Sequence, residues 1–369
     1  MMILSLIMCC CHLDSFAQNF FQYQNTFSIN RSSQTAFKKL VLLVPCPQSN
    51  EYQDVYELDY TSSGNWILGE ISENHNKYLE LDMNSTELNS VSKNFSVGYS
   101  FILHPKNISI DFSPYKNSNG TWKEMPEYDT SSMDYQDNIK QSGNIVVPTN
   151  STIVSISNQL FAACGENKLA YAEKCYEYVA SHYSYMNPYT GLHPLAELLS
   201  SGGGDCGNFS SIYISLLRAK GIPARHVVAM GTNGAFHVWA EFYIQDFGWV
   251  PVDVTYKNSN PSGNYFGRKD YNSDKLVVVQ KGVVMEYATN GVGLVTLDLL
   301  QTYGYWYWYN TYATLNVNQN VTAKQVEYSG IKTIGSTSIK GRVRKVVKND
   351  SIVIVCGNQE YSTAGVQLK

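Results

Sequence analysis

Apolar residues alternate with polar ones along much of residues 36–112. The segments FSVGYSFIL and NISIDF place an apolar side chain at every second position, and FKKLVLLVPCP is a longer apolar run that ends at two prolines. A period of two with one apolar face is typical of half-buried strands. We therefore predict a β-rich domain here, followed by a polar linker or wrapping segment that extends to residue 150.

The period changes after residue 150. In ENKLAYAEKCYEYVASHY the apolar residues recur at steps of three and four, which predicts an amphipathic helix. A short helix with Pro194 in its first turn follows. After Cys206 a third helical pattern places one apolar face between Phe209 and Leu217, and Gly221 and Pro223 end it.

Strand-like runs come next: ARHVVAMG, AFHVWAEFYI and GWVPVDVTY. From about residue 276 the pattern is again typical of strands, and GRVRKVVKNDSIVIVCG predicts a hairpin turning at Asn349 and Asp350. The predicted fold class is α+β. We expect an N-terminal β-rich domain and linker at residues 18–150, a core of helices on an antiparallel sheet at 151–275, and a β-rich C-terminal extension at 276–369.

Residues 1–17 have the pattern of a signal peptide. An apolar run is followed by Ser15-Phe16-Ala17, and small residues at the first and third of these positions predict cleavage before Gln18. A buried N-terminal helix, or a lipoprotein anchored at one of the cysteines of residues 9–11, is the alternative. No later segment has the roughly 18 consecutive apolar residues of a membrane span. We expect an exported protein, secreted, periplasmic or at the cell surface.

Composition narrows the classes of partner. The net charge is −4 and only 16% of the 369 residues are charged, so no basic surface for nucleic acid is expected. Three of the eight cysteines lie in the leader, which leaves five. This odd number and its spacing match no zinc or disulfide framework, so at least one thiol should stay free. The pairing of the others stays open: Cys46, Cys164, Cys175 and Cys356.

The segment GGGDCGNFSS combines features that suit a nucleophile. Asp205 stands at the expected N-cap of a helix, and Cys206 follows in its first turn. The partial positive charge at a helix N-terminus favours a thiolate, and first-turn N–H groups are free to act as oxyanion donors. The preceding glycines would let the backbone approach a substrate closely. A buried structural cysteine is the alternative interpretation of Cys206.

A nucleophilic cysteine needs a base and a group that orients the base. His237 and Asp253 lie downstream on two neighbouring predicted strands, and a carboxylate bonded to one ring nitrogen would turn the other toward the thiol. A simple turn at Asp246 and Phe247 would place Asp253 opposite Ala240 rather than His237. We expect a bulge near Pro251 to correct this register.

The segments GDCGNFSSIYISLLRAKGIPARHV, FHVWAEFYI and GWVPVDVT resemble the core of the transglutaminase-like superfamily in its bacterial form, over roughly residues 155–270. NYFGRKD at 264–270 is similar to the segment that follows the sheet in bacterial members. The resemblance implies a papain-like α+β fold with a triad of Cys206, His237 and Asp253. It also implies acyl transfer through a thioester on a peptide or protein substrate, without a cofactor or a metal.

Bacterial members of this superfamily are often regarded as peptidases or amidases, which ranks hydrolysis first. Protein crosslinking is the second expectation, and a catalytically silent surface binding module is the third. A zinc site at Cys206, His226 and His237 lacks the usual ligand spacing, and His226 alone suggests a structural residue. The aromatic run YGYWYWYN suggests either a strand packed on both faces or a platform for sugar or peptide, with the packed strand favoured. Candidates for a second oxyanion donor are Asn187, Tyr189 and His193, and none is preferred.

Overall fold

The computed structural model describes residues 19–61, 64–186, 191–270 and 276–328 with their side chains, apart from that of Asn233. Residues 343–348, 351–356, 359–362 and 367–368 are described as backbone. Residues Phe21–Lys324 form one compact unit, and the remaining described residues belong to a second one. The predicted signal peptide, residues 1–17, lies outside the described part of the chain and stays a prediction, as do the proposed domain boundaries.

The helices occupy the middle of the sequence. Their bounds are α1 Ser85–Ser90, α2 Met133–Ile139, α3 Ser151–Ala163, α4 Lys168–His182, α5 Leu195–Ser201, α6 Cys206–Arg218 and α7 Val254–Ser259. The side chains of Asn150, Asn167 and Asp205 cap α3, α4 and α6 by accepting backbone N–H groups. The predicted amphipathic helices after residues 166 and 205 are confirmed as α4 and α6.

Strands make up most of the rest. The strands that precede α6 are β1 Phe20–Arg31, β2 Phe37–Pro45, β3 Gln53–Tyr60, β4 Asn65–Ile71, β5 Asn76–Asn84, β6 Asn94–Pro105, β7 Ile108–Ser109, β8 Ser184–Tyr185 and β9 Gly203–Gly204. The strands that follow α6, up to residue 326, are β10 Ala224–Met230, β11 Phe236–Ile244, β12 Gly248–Val252, β13 Arg268–Lys269, β14 Val277–Lys281, β15 Met285–Thr289, β16 Gly293–Leu297, β17 Gly304–Tyr309 and β18 Leu315–Val326.

Two four-stranded sheets combine strands from distant parts of the sequence. Their orders are β18-β1-β6-β3 and β17-β2-β5-β4, and apolar residues from both pack in one core. In the second sheet, Tyr305 lies opposite Leu42 and Trp306 opposite Val41. The aromatic run pairs with β2 and packs on both faces, because Tyr305 contacts the shared core and Trp306 a separate cluster with Leu43. The packed-strand interpretation therefore agrees with the structure.

The sheet that carries the candidate site has the order β12-β11-β10-β14, with antiparallel neighbours. Helix α6 covers one face, where Phe209 and Leu216 share a core with Phe242. On the other face Trp239 packs against Tyr52 from the N-terminal part. Both faces of β11 are thus buried, which explains why its alternation of apolar and polar residues does not produce a solvent-facing side. The α+β class is confirmed.

The described backbone of the second unit includes a run of antiparallel strands: β19 Val343–Lys348, β20 Ser351–Cys356, β21 Gln359–Ser362 and β22 Gln367–Leu368. Lys348 of β19 lies opposite Ser351 of β20, an antiparallel pairing that agrees with the predicted hairpin. The predicted turn residues, Asn349 and Asp350, lie outside the described residues.

A buried polar network joins the N-terminal part to the site sheet. The Glu241 side chain is 0% exposed; its Oε2 accepts a hydrogen bond of 2.6 Å from the Tyr52 hydroxyl, and its Oε1 one of 2.5 Å from Arg225 Nε. Trp239 Nε1 donates to the same Tyr52 hydroxyl at 3.3 Å. A buried carboxylate needs such partners, because its desolvation is costly. Tyr52 therefore holds β11 from the face opposite α6.

Replacement of Tyr52 by phenylalanine should lower the free energy of unfolding by about 1–3 kcal/mol, because it leaves a buried Glu241 oxygen and the Trp239 N–H without this partner. Chemical denaturation of the full chain measures the effect. Tyr312→Phe is the matched control, since Tyr312 is 79% exposed and the same change there should leave stability as it is. Equal stability of the Tyr52→Phe variant and the wild type would contradict this role.

Candidate active site

Cys206 is the first residue of α6, and polar contacts fix the chain around it. Asp205 accepts hydrogen bonds from the Asn208 backbone N at 3.2 Å and from Asn208 Nδ2 at 2.8 Å. Asn208 in turn donates to the Gly191 carbonyl and accepts from the His193 N–H. The Cys206 N–H has no carbonyl partner within the helix, as for every first-turn amide. The half-buried Cys206 thiol is thus placed at a rigid helix start.

The glycines before Cys206 serve the packing of the chain against itself. Gly202 has φ 81° and ends α5 in the left-handed region. A Cβ on Gly203 would lie 1.9 Å from the Ser184 carbonyl oxygen, and one on Gly204 would lie 2.5 Å from Asn208 Cβ. These residues form the short parallel pair of β8 and β9. Gly203 thus permits a close approach to the backbone of β8, and Gly204 one to the Asn208 side chain. The close approach to a substrate stays a prediction.

His237 lies on β11 and is 7% exposed. Its Nε2 donates a hydrogen bond of 2.7 Å to Asp253 Oδ2, and its ring stacks on Tyr256 at 4.7 Å between centroids. Burial by itself would lower the pKa of His237, but the charge of Asp253, the bond to that carboxylate and a hydrogen bond with Cys206 raise it to about 9. The structure therefore brings Cys206, His237 and Asp253 together, with His237 between the other two.

The pairing of β11 with β12 differs by one residue from the predicted register, so Asp253 lies just beyond the paired part of β12. Strand β12 pairs with β11 without a bulge, and Ala240 lies opposite Val252 rather than Asp253. The register shifts by one because Asp246 in the turn has φ 64°, which allows a longer connection than the predicted one. Asp253 follows the last paired residue and is the N-cap of α7, where its Oδ1 accepts from the Tyr256 N–H at 3.0 Å.

A cation that sequence reasoning missed lies beside this carboxylate. Lys269 on β13 is 2% exposed, and its Nζ is 3.2 Å from Asp253 Oδ2. Burial by itself would raise the pKa of Asp253, which is 1% exposed, but His237 and Lys269 hold it well below its usual range. A single lysine in NYFGRKD carries no periodic signal, so only the fold reveals its place.

A cavity of about 490 Å³ opens beside His237. Among its lining residues Tyr185 and Phe236 are exposed aromatics, and Thr255 and Asn258 supply polar groups. Apart from His237, the described residues of the lining include no ionisable acid or base other than the tyrosine phenols. Burial raises the pKa of Tyr185, and the charges of Cys206 and Asp205 act in the same direction, so this phenol lies near the thiol. Tyr185, like Lys269, is not among the site residues that the sequence predicts.

Of the other residues considered from the sequence, the described ones have polar partners of their own. His226 is fully buried, bonds to Ser211 and the Gly207 carbonyl, and burial followed by the charge of Arg218 lowers its pKa to about 3. His193 lies 3.3 Å from Glu197, while Asn187 and Tyr189 are outside the described residues. No group of three or more potential metal ligands occurs in the part of the chain that the structure covers.

The remaining described cysteines differ from Cys206 in their surroundings. Cys46, Cys164, Cys175 and Cys206 are all free thiols. Burial raises the pKa of Cys46 to about 11 and also raises that of Cys164 and Cys175. A high pKa keeps a thiol protonated and unreactive at neutral pH. The side chain of Cys356 lies outside the described part of the protein.

Sequence comparisons identify relatives of part of this chain. An uncharacterized protein of Haemophilus influenzae is 26% identical over 241 residues, and the match covers 58% of this chain and 62% of that protein. The uncharacterized protein YebA of Bacillus subtilis is 36% identical over 76 residues, which cover 16% of this chain and 10% of YebA. The chain thus spans less than two thirds of either relative.

A structural comparison extends the similarity beyond the core. A Cytophaga hutchinsonii protein described provisionally as a cysteine protease matches with a TM-score of 0.52 at 15% sequence identity, over 84% of this chain and 91% of that one. At this level of identity the match concerns the fold. Residues 155–254 match the core of the transglutaminase-like superfamily. The chain therefore contains a segment of the transglutaminase-like superfamily, residues 155–254, and this segment includes all three residues of the candidate triad.

Proposed function

We propose that this protein is a cysteine enzyme that hydrolyses peptide or amide bonds through a thioester intermediate. One observation carries the proposal: His237 donates a hydrogen bond of 2.7 Å to Asp253, and the Cys206 thiol is near enough to raise the pKa of the same imidazole. A base held between a thiol and a carboxylate is the arrangement that activates a cysteine nucleophile. The raised pKa of His237, about 9, favours an imidazolium beside the thiol at neutral pH.

Each group then has a defined task. With Nε2 bonded to Asp253, the other ring nitrogen of His237 faces the thiol and holds its proton. The Cys206 thiolate attacks the carbonyl carbon, the carbon–nitrogen bond breaks, and the departing amine takes the proton from His237. Water next attacks the thioester while His237 accepts its proton, which releases the carboxylic acid and restores the thiol. The Cys206 N–H, at the start of α6, is the proposed oxyanion donor.

The cavity beside His237 supports an uncharged substrate side chain. Tyr185 and Phe236 offer aromatic surface there, and Thr255 and Asn258 offer hydrogen-bonding groups. Burial of a charged side chain against this lining would be costly, since the described lining residues supply no carboxylate, lysine or arginine to pair with it. We therefore propose that peptides with an apolar or amide side chain next to the scissile bond are the preferred substrates.

Substitution of the proposed triad should reduce turnover in a defined order. Cys206→Ala should abolish it, Cys206→Ser should be nearly as poor, and His237→Ala should cost about three orders of magnitude or more. Asp253→Asn should cost less, because it disturbs the orientation of His237 and leaves the nucleophile in place. Release of peptides from an extracellular protein extract, followed by mass spectrometry, measures the activity.

Cys164→Ala is the matched control for this series, because Cys164 is also half-buried and lies outside the site. That variant should retain full activity. An active Cys206→Ala variant would overturn the assignment of the nucleophile.

The acceptor of the acyl group separates hydrolysis from crosslinking. With a confirmed peptide substrate and millimolar methylamine, we expect the free acid as the main product, because nothing in the proposed cleft selects an amine. Mass spectrometry distinguishes the acid from the methylamide. If the methylamide predominates, the enzyme is an acyltransferase, and the alternative of protein crosslinking replaces the hydrolase. Unchanged substrate with intact Cys206 would favour the silent binding module.

We further propose export, with residues 1–17 removed. No helix in the described part of the chain has the length and apolar character that crossing a bilayer requires. The mature protein from the native host should begin at or near Gln18 when its N-terminus is sequenced. Retention of Met1 on protein purified from the cytoplasm would contradict export, and a lipid on one of the cysteines at 9–11 would establish the anchored form instead.

A further inference from the structure

Lys269 is buried at the candidate site, although the chemistry of a cysteine, a histidine and an aspartate does not require it. Its side chain is 2% exposed. An ammonium at such depth is destabilising unless it is paired and solvated by protein groups. The contacts of this group therefore need to account for its position.

The first contact is the carboxylate itself. Asp253 Oδ2 lies 2.7 Å from His237 Nε2 and 3.2 Å from Lys269 Nζ, so two cations share one oxygen. The other oxygen, Oδ1, accepts from the Tyr256 N–H at 3.0 Å. Three donors from different elements thus hold the carboxylate in one orientation.

The second contact is aromatic. Lys269 Nζ lies 4.6 Å from the ring centroids of both Trp239 and Tyr256, a distance at which a cation is attracted to a ring face. The same two rings stack on His237, with centroids at 5.9 and 4.7 Å. One pair of rings therefore fixes the ammonium and the imidazole in relation to each other.

Charge balance gives this cation a role in the reactive state. When Cys206 is a thiolate and His237 an imidazolium, the cluster that these two described residues form with Asp253 and Lys269 holds two anions and two cations. Their charges cancel. Without Lys269 the cluster would keep one net negative charge in a poorly solvated place, which is costly.

We propose that Lys269 is a positioning residue of the site, whose ammonium fixes the Asp253 carboxylate and balances its charge while Cys206 and His237 form an ion pair. This inference rests on the proposed function. It adds a fourth ionic group to the three that the sequence indicates. Lys269 touches neither the thiol nor the substrate carbonyl in this assignment, and it acts through Asp253 and His237.

The proton affinity of His237 is the property that reports this role. Asp253 from the start of α7 and Cys206 from α6 raise the pKa of His237, and the charge of Lys269 from β13 lowers it. Among the described residues around Asp253, the further titratable groups include the phenols of Tyr256, on α7, of Tyr265, and of Tyr176, on α4. The pKa of Tyr176 is raised by burial and, to a smaller extent, by charges that include Asp253. Removal of the Lys269 charge should therefore make His237 hold its proton to a higher pH.

The test follows the His237 ring by NMR in the full-length protein labelled with ¹⁵N-histidine, with the signal assigned by its loss in His237→Gln. The wild-type midpoint is expected near pH 9. Lys269→Met, which keeps the length of the stem, should move it upward by about one pH unit or more, since a charge at this range typically shifts a neighbour by one to three units. Lys269→Arg should leave it near the wild-type value.

The neutral variant Lys269→Gln keeps a hydrogen-bond donor for Asp253 and carries the same prediction if the methionine variant does not fold. Lys257→Met is the control, because Lys257 lies on α7, the helix that Asp253 caps, but pairs with Glu177 and not with Asp253. Its midpoint should match the wild type. A midpoint that stays or falls in the neutral Lys269 variants overturns the proposal.

Labelling of Cys206 by iodoacetamide separates this proposal from the proposed function. If the wild-type thiol reacts no faster than Cys164, the nucleophile assignment fails and the role of Lys269 fails with it. If Cys206 is selectively reactive and the His237 midpoint does not respond to Lys269, the proposed function stands and only the role of Lys269 is overturned. Selective reactivity together with the upward shift supports both.

Discussion

The carboxylate of Asp253 is the group around which the rest of the site is arranged. An ionised aspartate at 1% exposure is stable only when charged and dipolar partners replace the water that it has lost. His237 and Lys269 supply two charges, and the Tyr256 N–H at the start of α7 supplies a dipole. Each partner comes from a different element, so the burial of one carboxylate links a sheet strand, a helix start and a short strand.

This requirement extends into the N-terminal part of the chain. Strand β13, which carries Lys269, pairs with β7, where Lys269 lies opposite Ile108. The Tyr52 hydroxyl, also from the N-terminal part, donates to Glu241 on β11, four residues beyond His237 on the same strand. Residues before α3 thus contact the strands that carry Lys269 and His237, the two side chains that pair with Asp253. The site is a property of the whole unit Phe21–Lys324 rather than of the superfamily core alone.

The sequence predicts what depends on local pattern. The amphipathic period locates α6, its N-cap Asp205 marks the helix start, and alternation identifies β11, so Cys206 and His237 can be placed on their elements. It fails where one turn conformation decides the outcome, as with Asp246, whose positive φ shifts the β12 register by one residue. It also fails for Lys269 and Tyr185, since their roles arise from contacts between segments far apart in the chain.

The interleaved sheets have a consequence for the order in which the protein can form. Strand β14 completes the sheet that holds His237, and β17 closes the sheet of β2, although more than two hundred residues separate β2 from β17. During synthesis, the edge of β2 that pairs with β17 therefore stays unpaired until residues near 309 have left the ribosome. Such non-local pairing is slow. Unit Phe21–Lys324 therefore reaches its complete strand pairing only after nearly all of it has been synthesised, and truncation before residue 304 would leave β2 with an open edge.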